Sequence, residues 1–302
     1  MAKARIGVLG AGLMGHGIAQ VFALHGYDVR VYDPSAQALA SLRARIGSNL
    51  RDLEEDEGAA ERVAPSSTIE DCVSTADFVV EAALEDLGVK QKLFAEVERY
   101  APASAVLASN TSVIPITEIM RDIKDGARTV GTHWWNPPFL VPLVEVIGTD
   151  RTSQATIDFT MELHKAIGKT PVHVKKDVPG FVGNRLQHAL WREAVSLVEN
   201  GICDAETVDT VIKASFGRRI AVLGPLENAD LVGTDLTLAI HKTVLPAIES
   251  RPGPSPYLEK LVAEGKLGMK SGEGFRKWSA DEQAALRAEV VQHLKKARKD
   301  DA

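Results

Sequence analysis

The sequence has little of what marks a stapled, membrane-borne or nucleic-acid-binding protein. Two cysteines, Cys72 and Cys203, are the only thiols in 302 residues. They stand far apart and lack metal-ligand spacing, so neither a disulfide framework nor a metal site is indicated. A reducing, cytoplasmic setting fits. Bases are outnumbered by acids, 35 to 41, so nucleic acid or an anionic membrane is a poor partner. The longest uncharged stretch, residues 6–27, contains six glycines, Gln20 and two histidines. It also lacks a small-residue cleavage pattern and reads as soluble structure, not as a span or signal peptide.

What is present is a globular composition, 45% hydrophobic and 25% charged, in a chain long enough for two domains. The charge is uneven. Residues 52–61 (DLEEDEGAAE) hold six acids and no base, the whole of the net −6. There is no internal repeat.

Short β-branched runs alternate with helical patterns through the first half. Strands are expected at 6–9, 29–32, 78–81, 106–109, 129–132, 143–147 and 172–174. Helices are expected at 15–25, 36–53, 88–100, 116–122 and 153–167. That alternation implies an α/β fold with a largely parallel sheet covered on both faces. After KKDVPG (175–180) strands become scarce, and helices are expected at 181–200, 205–214, 236–250, 257–264 and 280–298. Asp204 reads as an N-cap. The expected domains are residues 1–178 and an all-helical 179–302.

Gly10-Ala11-Gly12-Leu13-Met14-Gly15 is a GxGxxG between an apolar strand and a helix. The first glycine allows the turn, the second admits a pyrophosphate to the backbone, and the third lets helix and strand pack. The helix N-terminus offers N–H groups to phosphate. Asp33 ends the next strand, where a carboxylate accepts both ribose hydroxyls and repels a 2′-phosphate. A Rossmann-type doubly wound sheet binding NAD follows. Arg30 nearby could offset that repulsion.

Ser112 lies in SNTS (109–112), after the 106–109 strand. His133 ends a strand and meets WWNPP. Glu145 sits in an apolar strand and needs a partner, because an unpaired buried carboxylate is costly. His133 is the simplest partner, since a carboxylate orients an imidazole and fixes its tautomer, as a general base requires. Taken singly, His133 reads equally as a satisfied histidine at a domain edge, and Glu145 as half of an edge-strand salt bridge.

GAGLMGHGIAQ, SNTS, HWWNPP with PLVEVI, VPGFVGNR and LGMKSGEGF occur in this order over residues 4–278. The chain resembles the L-3-hydroxyacyl-CoA dehydrogenase family. The resemblance implies His133 as base, Glu145 as its partner, and Ser112 and Asn184 as holders of the substrate oxygen. It implies cofactor contacts from the glycine loop, Asp33, Glu85, Lys90, Ser112, Asn136 and Lys270, and a homodimer formed by the helical domain. The bland alternatives are a capping role for Asn184 and a solvated loop for Lys270.

Two departures concern substrate. Residues 49–58 are acidic where acyl-CoA members are basic, which argues against CoA phosphates unless the segment is simply a solvated helix end. Gly217-Arg218-Arg219 resembles the branch with carnitine dehydrogenase, L-gulonate 3-dehydrogenase (lambda-crystallin) and a pyridine-carboxylate dehydrogenase. An arginine fork suits a free carboxylate, although both arginines could instead cap a helix. Trp134 and Trp135 are expected beside His133, where Trp134 would narrow the substrate pocket, or else fill core. The expected function is NAD-dependent oxidation of CH–OH in a small-molecule substrate, leaning to a small hydroxy acid. A 3-hydroxyacyl-CoA dehydrogenase is the alternative, and a non-enzymatic NAD-binding structural protein the third reading.

Overall fold

The computed structural model describes residues 3–300. Its contacts divide into two units. One comprises the chain through Arg185 with the stretch from Val291 onward; the other is Leu186–Val290.

The first unit runs β1 (Ile6–Leu9), α1 (Leu13–Leu24), β2 (Val29–Tyr32), α2 (Ala36–Ala40), α3 (Leu42–Asp52), β3 (Val63–Ser66), α4 (Ile69–Val73) and β4 (Phe78–Glu81). It continues with α5 (Leu87–Tyr100), β5 (Val106–Ser109), α6 (Ile116–Ile119), β6 (Thr129–Trp134), β7 (Leu143–Ile147), α7 (Gln154–Lys165) and β8 (Thr170–Val174). The strands form one sheet in the order β3-β2-β1-β4-β5-β6-β7-β8. Strands β1 to β6 are parallel, while β7 runs antiparallel to β6 and β8 parallel to β7. The strand order reverses between β1 and β4, which opens a crevice beyond their C-terminal ends.

Side chains alternate across the sheet, as a two-residue period requires. From β1, Ile6 and Val8 enter one core with Ile18 and Phe22 of α1; Leu9 enters the other with Phe94 and Val97 of α5. From β4, Phe78 and Val80 join the first core and Val79 the second. Each such burial contributes about 1.5–3 kcal/mol. Continuously apolar strands are therefore what a sheet covered on both faces needs.

The expected helix at 36–53 is broken at Ser41, whose hydroxyl donates to the carbonyls of Gln37 and Ala38 and closes α2. A serine that bonds the preceding turn competes with helix continuation. Strand β3 and helix α4 were not expected from the pattern. The strand is four residues long and contains Pro65, which an edge position tolerates.

The second unit is helical: most of α8 (Gly183–Glu199), then α9 (Ala205–Ala214), α10 (Pro225–Val232), α11 (Thr234–Val244), α12 (Pro256–Ala263) and the start of α13 (Ala280–Asp300). Asp204 caps α9 by accepting the Thr207 N–H at 2.7 Å. Among described residues no helix is long and apolar enough to cross a membrane.

The end of α13 belongs to the first unit and lies on the acidic segment. Lys295 donates to the Asp52 carbonyl at the end of α3, Arg298 pairs with Glu55 at 2.5 Å, and Lys299 with Glu54 at 3.2 Å. Arg51 pairs with Glu57, and Arg43 with Glu61. The acids that carry the net charge are therefore largely matched within the chain.

Candidate active site

The glycine loop leaves β1 and enters α1 with each glycine constrained differently. A Cβ on Gly10 would lie 2.5 Å from the Ala82 carbonyl oxygen, and one on Gly15 would lie 1.8 Å from that of Gly10. At Gly12 a Cβ would meet nothing within 4 Å, so the loop has open space there. Gly12 is also the N-cap of α1 and gives it no side-chain cap. Open space beside an uncapped helix N-terminus is what a pyrophosphate needs, so these residues fit a dinucleotide. Leu13 is exposed and Met14 half-buried.

Asp33 accepts the Ala11 N–H at 2.7 Å and the Ser35 N–H at 2.8 Å, which fixes its carboxylate beside the loop. Arg30 is tied to Asp71 by its side chain, so it is not turned to a 2′-phosphate at Asp33. Arg45 was not anticipated from the sequence. Its guanidinium donates to the carbonyls of Ala11 and Ala38 at 2.7 and 3.0 Å and holds the loop to α2.

His133 and Glu145 face each other across the antiparallel β6–β7 pair. Nδ1 of His133 lies 2.8 Å from Oε2 of Glu145. The other oxygen, Oε1, accepts the N–H groups of Val182 and Gly183 at 2.9 and 3.0 Å. Burial pushes the Glu145 carboxyl up, but hydrogen bonds from His133, Gly183 and Val182 outweigh it and hold it below the usual range. An ionised carboxylate only accepts, so Nδ1 carries the proton and Nε2 is the basic nitrogen. The rings of Trp135 and Phe181 flank His133 at 5.2 and 5.7 Å between centroids.

Ser112 sits beyond β5 and is pinned on both sides. Asn184 Nδ2 donates to its carbonyl at 2.8 Å, and Glu85 accepts its N–H at 2.9 Å. Glu85 also accepts the Thr111 hydroxyl and lies 3.1 Å from Lys90. Burial raises the Glu85 carboxyl, yet Thr111, Lys90 and Ser112 together keep it below its ordinary value. Lys90 is 1% exposed and lies 2.7 Å from Glu81, itself fully buried at the end of β4. Glu81 additionally accepts the Ser109 hydroxyl and the Ala83 N–H. Sequence reading missed Glu81, because an acid ending an apolar strand carries no signal of its partner.

Trp134 takes the core-filling alternative. It is 2% exposed, packs against Phe22 and His164, and has Lys169 Nζ 5.0 Å above its ring. His133 and Trp134 are neighbours on β6 and point to opposite faces, so Trp134 goes into the core, while Trp135, just past the strand, approaches His133. Asn136 is exposed on the following loop. Arg218, Arg219 and Lys270 are exposed in the second unit; neither arginine side chain has an ion-pair partner among the described residues, and the two stand at the end of a short 3-10 turn, Phe216–Arg218, with Arg219 at its C-cap.

A glycine loop with open space at a helix N-terminus, an acid fixed beside it and a buried histidine–carboxylate pair thus stand on one doubly wound sheet. Residues 5–178 match the description "3-hydroxyacyl-CoA dehydrogenase, NAD binding domain", and residues 180–278 its C-terminal domain. This chain belongs to the 3-hydroxyacyl-CoA dehydrogenase family. It is an NAD-dependent oxidoreductase. The chain is 35% identical to 5-formyl-3-hydroxy-2-methylpyridine 4-carboxylate 5-dehydrogenase of Mesorhizobium japonicum, over 96% of this chain and 95% of that one. It is 39% identical to human mitochondrial hydroxyacyl-coenzyme A dehydrogenase, over 90% of each. A solved structure of the pyridine-carboxylate enzyme superposes with a TM-score of 0.92 at 34% identity, covering 99% of both chains. The (S)-3-hydroxybutyryl-CoA dehydrogenase PaaH1 from Ralstonia eutropha gives 0.77 at 33% identity, covering 92% of this chain and all of the other.

Proposed function

We propose that this dehydrogenase oxidises an alcohol on a small free carboxylate rather than on a CoA thioester. Sequence identity does not separate the two classes. The observation that carries the reading is the overall likeness, a TM-score of 0.92 over 99% of the chain against 0.77 over 92%. The acidic segment no longer argues for it, because its carboxylates are matched by Arg43, Arg51, Arg298 and Lys299. The guanidiniums of Arg218 and Arg219, exposed and without an ion-pair partner among the described residues, suit a carboxylate, which planar forks bind bidentately.

Bound NAD supplies the hydride acceptor. The chain's own part is proton handling and positioning. His133 Nε2 takes the hydroxyl proton, and Glu145 stabilises the imidazolium that results. The Ser112 hydroxyl holds the substrate oxygen, while Asn184 positions Ser112 through its carbonyl. Gly10, Ala11, Gly12, Leu13, Met14 and Gly15 cradle the pyrophosphate and Asp33 the ribose. Glu85 and Asn136 add further cofactor contacts, and Lys90, enclosed between Glu81 and Glu85, fixes Glu85 for that role. We place the enzyme in the cytoplasm as a homodimer. Largely exposed Val222, Leu226 and Leu231 in the second unit support a partner there.

The test follows NADH absorbance with free 3-hydroxy acids and hydroxymethyl pyridine carboxylates against 3-hydroxybutyryl-CoA. The expected result is turnover of a free acid and little of the thioester. Fast turnover of the thioester alone establishes the CoA reading instead.

A further inference from the structure

The sequence Val178-Pro179-Gly180-Phe181 turns the chain just before α8. The Phe181 N–H donates to the Val178 carbonyl at 3.0 Å. Gly180 has φ +75°. Proline followed by a left-handed glycine, closed by an i to i+3 bond, is a type II turn. Phe181 then repeats the left-handed conformation with φ +50°. A side chain at that φ is strained, because its Cβ crowds the backbone. Something outside the turn must hold it. Phe181 is 1% exposed and packs in the core with Leu9, Ile116, Ile147 and Val174. That packing anchors the strained residue.

We propose that the Gly180–Phe181 turn is a positioning device for the base: its left-handed pair directs the N–H groups of Val182 and Gly183 onto one Glu145 oxygen, leaving the other to His133. The distances already given are 2.9 and 3.0 Å to Oε1 and 2.8 Å from Oε2 to His133. Gly183 must stay a glycine for this approach, since a Cβ there would lie 2.4 Å from the Trp135 ring. Strain held at a functional site by surrounding packing is a recognised arrangement.

The chemical consequence has a definite sign. Backbone N–H groups favour the ionised carboxylate and weaken its pull on a proton. Opening the turn removes them from Glu145, which then holds the imidazolium of His133 more strongly. Proton abstraction by neutral His133 then begins at higher pH. The Phe181 ring flanks His133 directly, while its backbone acts through Glu145 as a positioning element.

The test is a histidine titration by NMR on the full-length protein carrying 13C-labelled histidine. The His133 signal is identified by its loss in His133→Ala. Phe181→Ala removes the anchor but keeps the left-handed strain, and raises the His133 midpoint by about one pH unit, or tenfold in its protonation equilibrium. Phe181→Gly removes the same ring from beside His133 but tolerates the conformation, so it reports the loss of the ring alone and shifts the midpoint clearly less than Phe181→Ala. Gly180→Ala keeps the ring and has room, its Cβ meeting nothing closer than 3.6 Å. It shifts the midpoint upward through the backbone alone. Equal shifts in the two Phe181 variants, or no shift in Gly180→Ala, overturn the proposal. Its importance to catalysis rests on His133 being the base. An unimpaired His133→Ala enzyme refutes that reading, whereas the order of titrations tests the turn alone.

Discussion

Two buried carboxylates in one sheet, Glu81 and Glu145, meet cationic or basic partners in opposite ways. Each is at most 1% exposed. Each accepts backbone N–H as well as a side chain: Ala83 for Glu81, Val182 and Gly183 for Glu145. At Glu81 the partner is Lys90, whose ammonium is enclosed between Glu81 and Glu85 at 2.7 and 3.1 Å. At Glu145 the partner is His133, whose second nitrogen remains for a proton. A lysine enclosed by two carboxylates is spent on its own neighbours and serves as a pin. An imidazole held by one nitrogen leaves the other open. The same burial and the same kind of carboxylate thus hold an enclosed ammonium in one place and an imidazole with a free nitrogen in the other, and that difference is the ground for the base proposed above.

Removing the imidazole breaks the comparison most sharply. His133→Ala lowers kcat by about 10²- to 10⁴-fold, the usual contribution of a general base. NADH affinity, read by fluorescence titration, stays near the parent value, because no glycine-loop contact is touched. Unchanged turnover removes His133 from the mechanism and makes both pairs structural.

The pin predicts the converse, a loss of stability. Lys90→Met strands Glu81 without its cation and costs about 3–5 kcal/mol of unfolding free energy, measured by denaturant titration of the whole chain. Replacing both charges in Glu81→Leu/Lys90→Met recovers most of that loss, since an apolar pair avoids the desolvation of either ion. A single-variant cost below about 1 kcal/mol, the range of an exposed pair, means Lys90 is not the pin.

These two sites also show what a sequence discloses. The glycine loop was legible because three glycines, an apolar strand and an acid at the next strand end constrain each other. His133 and Glu145 were legible because an acid in LVEVI demands a partner and a histidine stands at the end of a neighbouring strand. Lys90 and Glu85 came from the family resemblance, but Glu81, which fixes them, was hidden. Nothing local to FVVE says which cation reaches it. Trp134 and Trp135 are adjacent and chemically alike, and only the pleat decides which is core. Phe181 gave no sign of its left-handed backbone, since proline and glycine account for the turn before it. The acidic run looked like a surface facing a ligand, because its partners lie at the far end of the chain.

That last pairing sharpens the comparison from the weak side. Arg298 and Glu55 are 2.5 Å apart, but their side chains keep 33% and 32% of their exposure. Lys299 and Glu54 are more open, at 71% and 81%. Water and salt screen such pairs, so Arg298→Ala costs about 0–1 kcal/mol, far less than Lys90→Met. The difference between parent and variant shrinks in 1 M salt, where the Debye length falls to about 3 Å. Denaturant titrations at low and high salt measure it. A loss as large as that of Lys90→Met, insensitive to salt, means that the end of α13 is held as an interior charge is held and that the acidic segment is a buried seat rather than a screened surface.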